Sequence, residues 1–242
     1  MSFAVNFKGF MGYYKLAKKE PEKAKKYFEE AYAKGLSKSG YLTAYASLLM
    51  QEQQYEKALE VFQKAYRAVD ATAQLKAGIK ANLSICYFKQ GDKERALELA
   101  EEMYDNQRSG TSYVLYGFLL LDAGRTEEAL KINLKGYEYD EEDAAICDNL
   151  GQTYYAMGDM ENAEKFFQKA LDEKDDMVDS LYFMAELCCK KEKYDAAREY
   201  LEAAKEAPIP ALSVITKEMI QQKMDEIEPF CTKKQEDEEE DD

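Results

Sequence analysis

The chain has 242 residues, of which 46% are apolar and 33% charged, and only 4 Pro and 12 Gly, so it has the apolar surface for an independent fold and no stretch that reads as a linker. Its formal charge of −15 opposes a phosphate backbone, which excludes nucleic acid as the expected partner, and it has no histidine, the usual general base and metal ligand. No apolar run approaches the roughly 20 residues of a bilayer span, so a membrane partner is not expected; no secretory signal is visible, and the five cysteines are expected to be reduced, in the cytoplasm.

Along the chain a small residue followed twelve positions later by alanine recurs six times, as Gly12 with Ala24, Ala46 with Ala58, Ser84 with Ala96, Gly117 with Ala129, Gly151 with Ala163 and Ala185 with Ala197. Successive small residues are 34, 38, 33, 34 and 34 positions apart, the period of a helical-hairpin repeat. The spacing predicts six units over 5–211, at about 5–38, 39–76, 77–109, 110–143, 144–177 and 178–211. In each first helix the residue before the small one and the residue three after it share a face. That face is apolar in five units; Lys15 interrupts it in the first. Breakers at Glu20-Pro21, Gly91-Asp92, Gly124-Arg125 and Gly158-Asp159 separate the paired helices. In the third unit the longer spacing predicts a first helix that starts one turn early, with Asp70 as its N-cap. In the fourth, Asn133 stands where most units have a larger apolar residue.

After Pro208 and Pro210, Leu212, Ile215, Met219, Ile220, Met224 and Ile227 recur at helical spacing, which predicts a capping helix over 212–230. Residues 231–242 end in seven consecutive acidic residues and are expected to be disordered, so a chain ending at Phe230 is expected to melt like the whole. At the other end, Phe3, Phe7, Phe10 and Tyr14 form one stripe and Val5, Gly9, Gly12 and Leu16 a second. Only one can be buried within the first hairpin, and a homodimer through this N-terminal helix is the simplest cover for the other.

The stretch from Ala144 to Asp175, with Leu150, Gly151, Tyr154, Ala163, Phe167 and Ala170 in register, resembles the tetratricopeptide repeat family, and the resemblance extends from about Val5 to Pro210, although no Trp opens any unit. It implies an all-α, right-handed α-α superhelical solenoid of six helical hairpins plus the C-terminal capping helix. It also implies a protein-binding scaffold that holds a protein or peptide segment against an inner wall formed by the first helices. Counting from each small residue, the wall positions give Ser47, Met50, Ile85, Phe88, Lys89, Val114, Phe118, Leu121, Asp148, Gln152, Tyr155, Tyr182 and Glu186 as candidate partner-binding residues. If the apolar middle of this wall is a groove, Phe88 and Phe118 are expected to be mainly exposed; the alternative is that these residues pack as core against the neighbouring repeat. The alternatives to the scaffold are a peptide-responsive regulator, in which a short peptide closes the superhelix and changes what the outer surface binds, and a structural self-associating subunit. The family's clamp for acidic peptide tails is not matched: Asn82 and Asn149 stand at its middle position, but its cations are missing.

Catalysis is not expected, since there is no Gly-rich phosphate loop, no nucleophile elbow and no Cys-x-x-Cys pair, and no spacing singles out a pair of working carboxylates. No metal or cofactor is implied. Cys147 and Cys188 fall on core-facing positions, and Cys188 and Cys189 diverge around their helix.

Overall fold

The computed structural model describes residues 3–232, and these form thirteen α-helices and one 3-10 turn, with no strand among them. They divide into two compact units, the first ending at Leu119 and the second beginning at Leu120.

The first unit contains α1 (Phe3–Ala17), α2 (Pro21–Ala33), α3 (Ser39–Gln51), α4 (Tyr55–Arg67), α5 (Ala73–Lys89), α6 (Lys93–Asn106) and most of α7 (Gly110–Asp122). From α1 to α6 each helix packs on the next, so each second helix touches both its own partner and the first helix of the following hairpin. The second unit takes the end of α7, then α8 (Thr126–Tyr139), α9 (Ala144–Met157), α10 (Met160–Glu173), α11 (Val178–Lys190), α12 (Tyr194–Glu206), α13 (Lys217–Ile227) and the 3-10 turn Glu228–Phe230. From α8 to α13 its helices pack in the same sequential way.

The repeated alanines explain the pairing. Ala24, Ala58, Ala96, Ala129, Ala163 and Ala197 are all fully buried, so each lets its second helix approach the first. The small residue opposite receives the ring four positions beyond that alanine. A Cβ added to Gly12 would stand 2.7 Å from Cε1 of Phe28, and one added to Gly151 would stand 2.4 Å from Cδ1 of Phe167. In the third hairpin the small residue is polar, and the Ser84 hydroxyl donates to the Ala96 carbonyl at 2.7 Å. Asn133 of the fourth is fully buried, and its amide donates to Thr153 Oγ1 at 3.1 Å.

All six hairpin turns share one conformation. A residue with φ between 56° and 85° follows each first helix, and it is Lys19, Gln53, Gly91, Gly124, Gly158 and Glu192 in turn. The next amide returns to a first-helix carbonyl, as Asp159 does to Tyr154 at 3.0 Å and Lys193 to Cys188 at 2.9 Å. This is the left-handed C-cap that glycine fills at little cost, and three non-glycine residues are held in it.

The structure corrects two helix starts. α5 is 17 residues long, against 13 in α3, but its cap is Thr72, whose hydroxyl accepts from the Leu75 amide at 3.2 Å. Asp70 instead accepts from the Ser39 amide at 3.0 Å and ties the turn to the start of α3. The capping helix begins at Lys217, with Thr216 accepting from the Met219 amide, and not at Leu212. Ser213 and Thr216 both bind nearby backbone amides and so compete with helix at that point. Ile215, Ile220 and Ile227 are nevertheless buried. Residues 233–242, which hold the acidic run, lie outside the described residues.

Candidate functional site

The three columns of the expected wall differ in burial, and the difference follows from helix geometry. The column four positions after each small residue, Leu16, Met50, Phe88, Leu121, Tyr155 and Cys189, is half-buried in every repeat. The column three positions before it holds Gly9, Ala81, Asp148 and Tyr182, all buried, with Thr43 and Val114 half-buried. The four buried ones turn toward the neighbouring first helix, not the open side. The column one after it is mixed, with Tyr13 exposed and Ser47, Ile85 and Glu186 half-buried, while Phe118 and Gln152 are buried.

In the first unit the accessible wall is formed by Ser47 and Met50 on α3 and by Ile85, Phe88 and Lys89 on α5, with Val114 on α7. Phe118 corrects the expectation of exposure, since it is 3% exposed and packs edge-to-face on Phe88 at 5.3 Å. A carboxylate at position 118 would therefore disrupt core. Phe88 keeps one side open, with Lys89 Nζ 5.6 Å and Lys93 Nζ 5.8 Å from its ring centroid.

In the second unit Leu121, Tyr155 and Glu186 are half-buried, whereas Asp148, Gln152 and Tyr182 are 6%, 6% and 9% exposed and form interior, not contact surface. The Tyr155 ring lies 4.9 Å from Phe183 and carries Lys190 Nζ 4.8 Å from its centroid. Lys223 of α13 reaches this wall, 2.8 Å from Glu186 and 2.8 Å from Glu226. Burial draws the Lys223 pKa down, but its hydrogen bonds to the two carboxylates prevail and hold it above the ordinary lysine value.

Beneath that wall is a buried polar cluster that the sequence did not single out. Asp148 accepts from the Ser180 hydroxyl at 2.5 Å and from the Gln152 amide at 2.7 Å, and Asp179 accepts from the Val214 amide at 3.2 Å. Burial, then the nearby Asp179 carboxylate, raises the Asp148 pKa well above the usual carboxylate range. The signal for it was position: Asp148 lies in the column three before the small residue, where four of the six residues are buried. Its partners are structural, and among the described residues no group of three His, Cys, Asp or Glu side chains could hold a metal ion.

The thiols also lack activation. Burial pushes the Cys86 thiol up to about 12 and, as the main cause, Cys147 up to about 11, while Cys188 and Cys189 are raised in the same direction. A second concavity, of about 800 Å³, opens in the first unit between α2, α4 and the turn after α4, and is lined by Tyr32, Lys38, Lys64 and Arg67 among others.

Comparison with known proteins agrees with this geometry. The tetratricopeptide repeat family matches residues 11–74 and again residues 154–208. Among solved structures, the APC/C hetero-tetramer Cut9-Hcn1 has a TM-score of 0.69 at 15% identity, covering 92% of this chain and 42% of that one. The chain thus spans about two fifths of that relative's length. A tetratricopeptide repeat protein from Parabacteroides merdae has a TM-score of 0.64 at 12% identity, covering 94% of this chain and 100% of that one. PilW, a type IV pilus biogenesis factor, has a TM-score of 0.65 at 14% identity, covering 84% of this chain and 92% of that one. At these identities the likeness is one of fold. No curated protein matches the sequence. With two stretches matched, six hairpins of one construction and an all-α helical-repeat fold shared with these structures, the chain belongs to the tetratricopeptide repeat family.

Proposed function

We propose that the chain is a non-catalytic interaction module, an adaptor or assembly scaffold that binds a protein or peptide segment along its first helices. The observation that supports this is the half-buried column four residues after each small residue, with Met50 and Phe88 in the first unit and Leu121 and Tyr155 in the second. Side chains of this kind are held in place by packing yet still offer a face, as binding anchors require. Lys89 and Lys93 beside Phe88, and Lys190 beside Tyr155, give both anchors a cationic edge. The partner segment is therefore apolar at its anchor positions, with polar or acidic residues between.

A photo-crosslinking side chain placed at Phe88 or at Tyr155 tests this in native lysate. The expected result is one discrete partner band from each of these positions and none from the same group at Glu98, which is exposed on α6. Identical patterns from all three positions would refute the wall as a binding surface.

A further inference from the structure

The first unit carries a second surface, on a different side of α1 from the wall position Leu16. Phe3, Phe7 and Phe10 are 86%, 52% and 51% exposed, and Tyr14 is 43% exposed. They form one stripe, with Phe3 stacked along Phe7 at 6.4 Å and Phe10 along Tyr14 at 6.5 Å. The opposite stripe of α1, Val5, Gly9 and Gly12, is the buried one.

The register of this stripe identifies what shape it accepts. Counted from Gly12, Phe7 and Tyr14 stand five before and two after. The same offsets are Ile79 and Cys86 on α5 and Ile146 and Thr153 on α9, and all four are fully buried. Those helices pack on the second helix of the hairpin before them, α4 for α5 and α8 for α9. The α1 stripe thus sits where this fold places a helix, and its side chains are uncharged and apolar as such a contact requires.

Charge narrows the choice of helix. α1 contains no acidic residue, and Lys18 stands beside the stripe with its Nζ 5.7 Å from the Tyr14 ring centroid, while Lys8 and Lys15 turn toward the second helix and its turn and pair with Glu30 and Glu20. Residues 1–38 hold nine lysines and four glutamates, a balance of +5 in a chain whose total is −15. Pairing two copies through α1 would bring two basic hairpins together, whereas an acidic helix meets the field of opposite sign.

We propose that the aromatic face of α1 docks an amphipathic helix of a partner protein, apolar along one seam and acidic at its edges. Two dye-labelled helical peptides of about 20 residues with the same leucine seam, one flanked by Glu and one by Lys, provide the test with the full chain. Fluorescence anisotropy is expected to show the Glu-flanked peptide binding at about 10 μM, at least about tenfold tighter than the Lys-flanked one, and weakening as salt rises. Phe7→Glu with Phe10→Glu is expected to abolish binding while helicity and melting temperature hold, because both side chains are exposed. Lys18→Glu, which leaves the stripe whole, is expected to weaken it about threefold. No binding, or equal binding of the two peptides, would overturn the proposal. A concentration-dependent dimer that the double variant abolishes would assign the face to a second copy. Flotation with phosphatidylserine-containing vesicles, lost in that variant, would assign it to a membrane surface.

Discussion

The two units are built on one repeat but fill their interiors differently. Beyond Ser39, Ser84 and Ser112, the buried side chains of the first unit are apolar or aromatic, with Phe28, Tyr45 and Phe62 fully enclosed. The second unit encloses Asn133, Asp148, Asn149, Gln152, Thr153, Asp179 and Ser180 at equivalent depth. A hairpin stack therefore tolerates either interior, and the polar one is largely hydrogen-bonded, as Asp148 is by Ser180 and Gln152, although Asn133 Oδ1 has no partner among the described residues. The first unit's stability rests on area removed from water; the second's depends also on the protonation of what it encloses.

The largest effects test what the units share. Phe28→Ala in the first and Phe167→Ala in the second each remove a fully buried ring that fills the notch of a glycine, and each is expected to cost about 3–5 kcal/mol by denaturant titration. A cost below about 1 kcal/mol for either would show that its notch collapses without the ring.

Gly12→Ala and Gly151→Ala sharpen the comparison. Alanine favours helix by about 1 kcal/mol, but its Cβ would meet the ring at 2.7 Å in the first unit and 2.4 Å in the second. Phe167 cannot retreat, because Phe183 is stacked on it at 5.3 Å with an interplanar angle of 5°. Phe28 leans on Tyr45 at 6.0 Å and 31°, a looser contact. Gly151→Ala is expected to lose about 2 kcal/mol net and to be relieved by Phe167→Leu, with Gly12→Ala losing less. Equal losses would mean that the stacked pair yields as easily as the tilted one.

These residues were legible in the sequence because the small-residue pattern reports contacts within one hairpin, with the alanine twelve positions away and the ring sixteen. The turns were half legible. Gly91, Gly124 and Gly158 announced the left-handed residue, but Gln53 and Glu192 adopt the same φ with nothing in their type to mark it. The wall was legible as a face and not as a surface. Whether Asp148 or Tyr155 is open depends on the first helix of the following repeat, where Ser180 lies 32 residues beyond Asp148. Single-helix periodicity carries no information about that neighbour. The start of α13 was missed for a related reason, since Ser213 and Thr216 redirect the backbone while the apolar spacing continues through them.

The enclosed Asp148 predicts a pH dependence particular to the second unit. Its folded pKa is raised by burial and then by Asp179, so the folded state holds the proton more tightly than the unfolded chain. Stability from this group is fully present below the unfolded value of 3.8 and is lost as pH rises through the higher folded value. Asp148→Asn keeps an acceptor for Ser180, and a flipped Gln152 amide can accept from its new NH₂. It is expected to raise stability by about 1 kcal/mol at pH 8 and to flatten the profile toward acid. A variant less stable than wild type at pH 8 would show that the ionised carboxylate is the better-accommodated form.

The smallest effect lies at the end of the same unit and has the opposite sign. The expectation that a chain ending at Phe230 melts like the whole does not allow for Thr232. Its amide donates to Asp195 Oδ1 at 2.8 Å, its hydroxyl donates to the same carboxylate, and its carbonyl accepts from Arg198 at 3.0 Å. The bonds from Thr232 hold the Asp195 pKa below the ordinary value, which places their contribution above pH 3.8 and removes it as pH falls through the lower folded pKa. Truncation after Phe230 is therefore expected to melt about 1–2 °C below truncation after Thr232 at pH 7, with the gap closing as pH falls below 3.8. Over that acidification the Asp148 group gains stability while the Asp195 group loses it. Two truncations with the same melting temperature at pH 7 would show that the Thr232 contacts are surface pairs of no energetic consequence.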